Sequence, residues 1–303
     1  MTARAVIETE GLTKQWGDLV AVGDLTISVP EGECYAFLGR NGAGKSTTAR
    51  LLLDFIRPTR GRSSVLGGDG GDPAIRQRIG YLPGDLNLPR SMTGWDAFHF
   101  FGALGSGFDE SAVTPLLERF GLDPTRPFHQ LSTGNRRKVG LVLAFMQHPE
   151  LLILDEPTSG LDPVLQQEFR DLLAERKAAG ATIWLTSHVM AEVEMVADRV
   201  GLIDDGRLAQ ELAMDELRTQ TTGLIVFTFD GGVSAADFGE LPGVRSATAD
   251  GDEVTVHVEG AVAPVLTRAG ELGARQVRTE RRDLDDVFLD LYGHDRALAE
   301  GGS

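Results

Sequence analysis

The chain has 303 residues, of which 42% are hydrophobic and 24% charged, so its length and composition are those of one large globular domain or two smaller ones. Its formal net charge is −16, and a surface this negative repels a phosphate backbone, so nucleic acid is not expected as a partner. Any anionic ligand must therefore be held by local donors and a metal ion, against the field of the whole chain.

Two further features indicate a cytosolic chain that does not cross a membrane. The single cysteine, Cys34, excludes an intramolecular disulfide and is more typical of a small core residue than of a reactive thiol. The N-terminal stretch MTARAVIETE lacks the apolar segment of a signal peptide, and no run approaches the roughly 18 apolar residues that span a bilayer. We expect a soluble chain that is able to dock on a membrane protein.

The first part of the chain predicts short strands followed by a helix. The segments AVIETE, LVAVGDLTISV and CYAFLG have the alternation or the compact apolar composition of strands. The last of them ends at GRNGAGKST, after which Leu51, Leu52 and Phe55 recur at helical spacing until Pro58 breaks the chain. Strand, glycine-rich loop and helix in this order are the context in which phosphate-binding loops occur.

The segment GRNGAGKS, from Gly39 to Ser46, matches the pattern G-x-x-x-x-G-K-[ST] of such loops. Its glycines allow the backbone to curl so that successive N–H groups point at phosphate oxygens. Lys45 supplies a mobile positive charge for the β- and γ-phosphates, and the Ser46 hydroxyl is a ligand for Mg²⁺. The predicted nucleotide site consists of Gly39, Arg40, Asn41, Gly42, Ala43, Gly44, Lys45, Ser46 and Thr47.

Residues 91–147 have mostly helical spacing, and from Leu151 onward strands alternate with helices. The segments LLILDEP, ATIWLTSH and RVGLID predict strands of a parallel sheet with helices on its faces. Because the apolar run LLIL favours a central strand, Asp155 and Glu156 emerge at its carboxyl end, where ligands bind in such sheets. We predict that Asp155 holds the hydration shell of Mg²⁺ and that Glu156 orients or deprotonates the attacking water.

After about residue 219 the pattern changes to short strands in GLIVFTF, VRSATA, VTVHV and ARQVRTE, with a hairpin turn at DGDE. A closing helix is predicted by the spacing of Leu284, Val287, Phe288 and Leu291. We predict a nucleotide-binding domain over residues 1–219, a small α+β domain over 220–295 and a disordered tail over 296–303.

Together these motifs resemble one family, the ATP-binding subunits of ABC transporters, over roughly Ala5 to Leu212. The phosphate loop, the strand LLILDEP, the loop SGLD and the histidine of LTSH match the family's patterns in the family's order, and LSTGN resembles the signature LSGGQ. The resemblance implies an α/β P-loop cassette with a parallel-sheet core, an antiparallel β subdomain and a helical subdomain at about 91–147. It also implies ATP and Mg²⁺ as ligands and hydrolysis of ATP as the activity.

In this family the signature turn contacts the γ-phosphate of ATP that is held by a second subunit. The resemblance assigns this contact to Ser132, Gly134 and Asn135, so a complete site needs a homodimer or a heterodimer with a second cassette. A helix that begins near Asn135 presents its N-terminus to the anion. An ordinary helix cap by Ser132 or Thr133 is the alternative for this turn, and the two roles are compatible.

Three further residues are assigned by the resemblance one at a time. Trp16 lies where the family has an aromatic side chain that stacks on adenine, with a half-buried strand aromatic as the alternative. His188 matches the switch histidine that contacts the γ-phosphate and helps to hold the water. Asp162 matches the loop that communicates between the two sites, and it is also placed to cap the helix after Pro163.

The chain departs from the family pattern at two places. In the family, a glutamine in the loop after the strand reaches the metal and senses the membrane partner. Here the segment IGYLPGDLNLP has Gly84 at that position. Either Asp85 or Asn87 takes the place of the glutamine, or the site is coupled more loosely to the membrane partner. The signature has Thr133 instead of the usual glycine and Asn135 instead of the usual glutamine, and a shorter amide still donates and accepts hydrogen bonds. These departures leave the rate of hydrolysis open.

The segment LPGD, the LSTGN-type signature and the ending LDDVFLDLYG are similar to the bacterial ABC-2 branch, which consists mostly of exporters. We therefore predict an ATPase subunit that dimerises around Mg-ATP and powers a separate permease, for export, from the cytoplasmic face of the cell membrane. The alternatives are a soluble ABC-type ATPase, acting in regulation, DNA repair or translation, and a P-loop GTPase. The sequence has no N-K-x-D guanine motif and no inserted coiled coil or zinc motif, which disfavours the GTPase and the repair or translation proteins.

Overall fold

The computed structural model describes residues 4–105, 107–221, 224–258 and 261–280. The fold divides into two compact units, Met1–Ala213 and Met214–Ser303. The predicted closing helix and the predicted tail lie outside the described residues.

The described strands of the first unit are β1 (Ala5–Trp16), β2 (Leu19–Leu25), β3 (Ser28–Pro30), β4 (Cys34–Leu38), β5 (Arg60–Val65), β6 (Ile79–Leu82), β7 (Leu151–Asp155), β8 (Thr182–Ser187), β9 (Arg199–Asp204) and β10 (Arg207–Ala213). Its described helices are α1 (Lys45–Leu52), α2 (Pro73–Arg76), α3 (Gly94–Leu104), α4 (Glu110–Phe120), α5 (Thr133–Phe145), α6 (Pro163–Ala178) and α7 (Met190–Glu194), with a 3-10 turn at Phe128–Gln130.

A six-stranded sheet in the order β10-β9-β4-β8-β7-β6 forms the centre of the first unit. Its neighbouring strands are parallel except β9 and β10, which are antiparallel. Every residue of β4, β7 and β8 is buried, as their continuous apolar runs require. Because β8 lies between β4 and β7, the segments that follow these three strands meet at one edge of the sheet.

A second, antiparallel sheet covers part of this core, and it corresponds to the antiparallel β subdomain that the family resemblance implies. The long strand β1 pairs with β2, β3 and β5. The sequence analysis did not predict β5, because RGRSSV has little apolar character and three of its six residues are exposed. Phe55 was wrongly predicted to continue the first helix: α1 ends at Leu52, Asp54 adopts a left-handed backbone with φ of 50°, and the Phe55 side chain is exposed.

Helices α3, α4 and α5 form the helical part of the first unit, with α5 packed against β6 and against both other helices. Thr93 and Asp96 form a capping box at the start of α3, and Asp109 caps α4. Helix α5 begins at Thr133, two residues before the predicted start near Asn135, because the Ser132 hydroxyl caps it by accepting a hydrogen bond from the Asn135 amide.

The second unit begins with α8 (Met214–Thr221), so the structure divides the chain before this helix, whereas the predicted boundary falls within it. Its antiparallel sheet has the order β12-β13-β11-β14. The strands are β11 (Leu224–Thr228), β12 (Val244–Asp250), β13 (Glu253–Val258) and β14 (Gln276–Glu280), and the helices are α9 (Ala236–Gly239) and α10 (Ala263–Glu271). The predicted hairpin turn at DGDE is confirmed, since Asp250 pairs with Glu253.

The structure shows where the single cysteine lies and whether any described helix could span a membrane. Cys34 is fully buried in β4, and its burial together with the nearby Asp198 carboxylate raises the pKa of the thiol to about 12, so it is an inert core residue. Among the described residues, no helix combines the length and the apolar character needed to span a bilayer.

Candidate functional site

The phosphate loop follows β4 and leads into α1, and its glycines are required for two different reasons. A Cβ atom at Gly39 would lie 2.4 Å from the Ile203 carbonyl oxygen, so this position has no room for a side chain. Gly42 and Gly44 have φ of 87° and 106°, which side chains disfavour. The backbone of Gly44 is further restricted, because a Cβ atom there would lie 2.4 Å from the Ala21 carbonyl oxygen.

Lys45, the first residue of α1, is buried with its ammonium group inside the loop. Its Nζ atom donates to the carbonyl oxygens of Gly39 at 2.5 Å and Arg40 at 3.1 Å. The same atom lies 3.1 Å from Oε1 of Glu156. The lysine thus lies where it is expected to meet the phosphate oxygens of a bound nucleotide.

Asp155 ends β7 and is only 2% exposed. Its Oδ1 atom accepts a hydrogen bond of 2.7 Å from the Thr186 hydroxyl on the neighbouring strand β8. Its Oδ2 atom would lie 3.0 Å from a Cβ atom at Gly84, so residue 84 is directed at this carboxylate and offers it no side chain. Neither Asp85 nor Asn87, both exposed, makes a hydrogen bond to Asp155 or Glu156 in the part of the chain that the structure describes.

The residues at this edge suit Mg²⁺ better than a metal that needs a full set of protein ligands. In the described residues no three His, Cys, Asp or Glu side chains cluster as a metal site. The Ser46 hydroxyl and the Asp155 carboxylate are oxygen donors of the kind that Mg²⁺ binds, and Mg²⁺ in phosphate sites typically takes few protein ligands and retains water and phosphate oxygens. Asp155 and Ser46 are therefore the residues that would hold the ion.

Glu156 lies between a lysine and a histidine. Its backbone is left-handed, with φ of 51°, and its amide donates to the Thr186 hydroxyl at 3.0 Å. The side-chain Oε1 atom pairs with Lys45, and Oε2 lies 2.7 Å from Nδ1 of His188. His188 directly follows β8 and is about half exposed. Thus Lys45, Glu156 and His188, which the sequence predicts from three separate motifs, form one continuous chain of contacts.

A cleft of about 560 Å³ extends from the Glu156 side chain to Trp16 at the end of β1. Trp16 is 52% exposed and lines the cleft beside Leu19 and Val20, two apolar residues that the sequence analysis did not single out. Lys14 places its ammonium 4.0 Å from the centre of the Trp16 ring. Of the predicted loop residues, the cleft is lined by Asn41, Gly42, Gly44, Lys45, Ser46 and Thr47 and not by Gly39, Arg40 or Ala43.

The signature turn and the SGLD loop lie together, away from this cleft. Ser132 caps α5 and is exposed, while a Cβ atom at Gly134 would lie 3.1 Å from the Gly160 carbonyl oxygen. Asp162 caps α6 by accepting a hydrogen bond of 3.0 Å from the Leu165 amide. The predicted capping roles are thereby observed, and Ser132, Gly134, Asn135 and Asp162 are all absent from the lining of the cleft.

The sequence analysis did not identify two residues that support these side chains. Thr186 binds both the Asp155 carboxylate and the Glu156 amide, but a threonine within a buried strand carries no distinguishing sequence signal. Arg137 is flanked by two other basic residues, Arg136 and Lys138, so its sequence signal does not distinguish it, yet it is 5% exposed and contacts the ends of β6 and β7. Burial lowers the pKa of Arg137 to about 10, which still leaves it charged at neutral pH.

Comparisons with known proteins match this arrangement. The family model described as ABC transporter matches residues 22–159. The chain is 34% identical to the bacitracin transport ATP-binding protein BcrA of Enterococcus faecalis, over 97% of this chain and 98% of that protein. It is also 34% identical to the Nod factor export ATP-binding protein I of Cupriavidus pinatubonensis, over 96% and 92% of the two chains.

The fold has a matching solved structure, described as an ATP-binding subunit of an ABC transporter. The two chains are 30% identical with a TM-score of 0.65, over 71% of this chain and 92% of the other. The fold of this part of the chain is thus found in a protein of related sequence.

Proposed function

This chain belongs to the ABC transporter family as an ATP-binding ATPase subunit, and we propose that it dimerises around Mg-ATP and drives export through a separate membrane permease. The proposal is supported by relatives that match nearly the whole chain and are named for bacitracin transport and for Nod factor export. Neither name describes a soluble regulatory ATPase, which is the alternative. The proposed location is the cytoplasmic face of the cell membrane, bound to the permease.

The proposed chemistry assigns roles to the predicted side chains in and beside the cleft. Lys45 neutralises the β- and γ-phosphates, and Glu156 orients the attacking water and accepts its proton. His188, within hydrogen-bond distance of Glu156, helps to hold that water and contacts the γ-phosphate. Bound Mg²⁺, held by Ser46 and Asp155, would supply charge stabilisation at the phosphate oxygens. Trp16 offers a half-exposed ring for stacking on adenine.

One observation supports the dimer: the signature turn does not line the cleft of its own chain. Ser132 is exposed at the N-terminus of α5 and is therefore available to a nucleotide held by another copy, and Gly134 lies beside the SGLD loop. The N-terminus of α5 favours an anion, and the small side chains there permit close approach of a phosphate. We infer that each nucleotide is bound by the phosphate loop of one protomer and the signature turn of its partner.

Complementation between two variants tests this arrangement. Ser132→Ala should slow ATP hydrolysis by about 10-fold or more, because it removes a hydroxyl that contacts the transferred phosphate in the partner. Its ATP affinity as a monomer should be unchanged, since Lys45 and the loop are intact. Mixing Ser132→Ala with Lys45→Ala, which by itself lacks a working phosphate loop, should restore hydrolysis. Each mixed dimer then contains one intact site, with Lys45 from one chain and Ser132 from the other.

Phosphate release is measured for each variant alone and for mixtures at equal total protein, with calorimetry for ATP affinity. A mixture no faster than the sum of its components shows that both residues act within one chain. Equal loss of ATP affinity and hydrolysis in Ser132→Ala also contradicts a role in the partner's site.

Coupling to a permease has its own test in fractionated cells. Because no described helix could anchor the chain by itself, the tagged protein expressed in its own host should sediment with membranes and be released by alkaline carbonate. A cytosolic enzyme of the same host serves as the control. If the chain remains in the supernatant with that enzyme, the proposal of membrane coupling fails and the regulatory ATPase is favoured, even if hydrolysis is normal.

A further inference from the structure

Arg137, in the second turn of α5, is a buried arginine whose hydrogen-bond partners are all main-chain carbonyl oxygens. Its Nε atom donates to Pro157 at 3.2 Å, and Nη1 donates to Pro83 at 2.7 Å and Gly84 at 3.0 Å. Its Nη2 atom donates to Asp155 at 2.6 Å and also to Glu156. The guanidinium thus uses a full set of five donors, which no other side chain can supply.

Three of the five carbonyl groups belong to the segment that positions the catalytic carboxylate. Glu156 has a left-handed backbone, which a residue with a side chain adopts only when its surroundings hold it there. Arg137 binds the carbonyl oxygens of Glu156 and of both its neighbours, while the Thr186 hydroxyl binds the Glu156 amide from β8. The conformation of this residue is therefore held from two directions.

The other two carbonyl groups belong to the loop after β6, where the family's glutamine is absent. Gly84 cannot reach Asp155 with a side chain, yet its carbonyl group and that of Pro83 bind the same guanidinium as residues 155–157. Arg137 thus connects the loop after β6 to the end of β7 through main-chain carbonyl groups. This contact lies where a side chain at position 84 is missing, and neither Asp85 nor Asn87 takes part in it.

We propose that Arg137 is a positioning residue that fixes the backbone of Glu156, and with it the catalytic carboxylate, from the helix that bears the signature turn. This inference rests on the proposed function of Glu156 and of the signature turn. Under that function the N-terminus of α5 meets the partner's nucleotide, while Arg137 in the same helix holds the carboxylate that acts on the chain's own nucleotide. One guanidinium then connects the two sites of the dimer.

The substitution Arg137→Lys tests the proposal, because an ammonium keeps the charge but has three donors and cannot reach five carbonyl groups. We expect kcat for ATP hydrolysis to fall by about 10- to 100-fold, the loss typical of a displaced catalytic group. The Kd for ATP should stay within about twofold of wild type, since the phosphate loop is untouched. The matched control is Arg136→Lys, because Arg136 is the preceding residue and lies over the Phe128 ring at 4.9 Å; its kcat should be unchanged.

Two measurements distinguish positioning from a merely structural role. The proposal is overturned if the Tm and the ATP affinity of the Arg137→Lys protein fall in proportion to its kcat. It is also overturned if the kcat of Arg137→Lys equals that of Arg136→Lys. The second variant is Arg137→Ala, for which guanidinium ion at a few millimolar, far below denaturing concentrations, should restore part of the lost turnover. Absence of this rescue also overturns the proposal.

Failure of the inference and failure of the proposed function give different results. If the wild-type protein does not hydrolyse ATP, the proposed function fails. If wild type hydrolyses ATP and the Arg137 variants behave like the Arg136 control, only the role of Arg137 fails.

Discussion

Replacing Glu156 with glutamine is expected to lower ATP turnover by about 10³-fold while ATP binding is preserved or strengthened. An amide has nearly the shape of the carboxylate but cannot accept the proton of the attacking water. Because hydrolysis is the step that would reopen the proposed dimer, this dimer should then persist with ATP bound. The same change removes the negative partner of Lys45, whose ammonium lies 3.1 Å from the carboxylate. A partly exposed ion pair contributes about 0–1 kcal/mol, so the Kd for ATP should decrease by up to about fivefold.

Three measurements on Glu156→Gln check this expectation: phosphate release, calorimetric ATP affinity and gel filtration with and without ATP. Glu150→Gln is the matched control, because Glu150 precedes the opposite end of β7 and pairs with Arg78 outside the cleft. The control should hydrolyse ATP at the wild-type rate and elute as wild type does. Normal turnover by Glu156→Gln would remove this residue from its catalytic role.

The motifs of this chain predict its central fold and most of the residues of its candidate site. Each motif has an apolar or glycine-rich pattern, which predicts the local backbone, and a polar side chain, which predicts the chemistry. Apolar runs identify β4, β7 and β8, and parallel strands bring their carboxyl ends to one edge. The residues that follow these strands, Lys45, Glu156 and His188, are therefore neighbours in the fold. The contact between Lys45 and Glu156 follows from periodicity and motif order, whereas His188 is assigned by the family resemblance.

Contacts made by the supporting residues could not be predicted in the same way. The run RRK gives three basic residues similar sequence signals, and which one is buried depends on how α5 packs against β6. Five carbonyl groups supplied by two segments distant in sequence make burial of the Arg137 guanidinium favourable. Likewise, helical spacing extended the first helix to Phe55, although the left-handed Asp54 ends it earlier. Such outcomes depend on tertiary contacts that a single stretch of sequence does not contain.

Lys45→Ala is expected to weaken ATP binding by about 100-fold, because a buried, charged donor is removed from the phosphate oxygens. The structure adds a second cause. The Lys45 ammonium is also the cation that pairs with Glu156, so its removal leaves a carboxylate facing the triphosphate without compensation. Fluorescence or calorimetric titration of ATP measures the loss, and an unchanged Kd would refute the role of Lys45.

The double variant Lys45→Ala with Glu156→Gln separates these two causes. If the unpaired carboxylate repels the nucleotide, the double variant should bind ATP more tightly than Lys45→Ala alone, and the two changes should not be additive in free energy. The measurement is the Kd for ATP of four proteins: wild type, the two single variants and the double variant. A control cycle uses Glu150→Gln in place of Glu156→Gln. Additive effects would mean that the contact of 3.1 Å between Lys45 and Glu156 has no influence on nucleotide binding. Non-additive effects confined to the Glu156 cycle would mean that the Lys45 ammonium binds either the Glu156 carboxylate or the phosphate. It would then leave the carboxylate for the phosphate when ATP enters the loop.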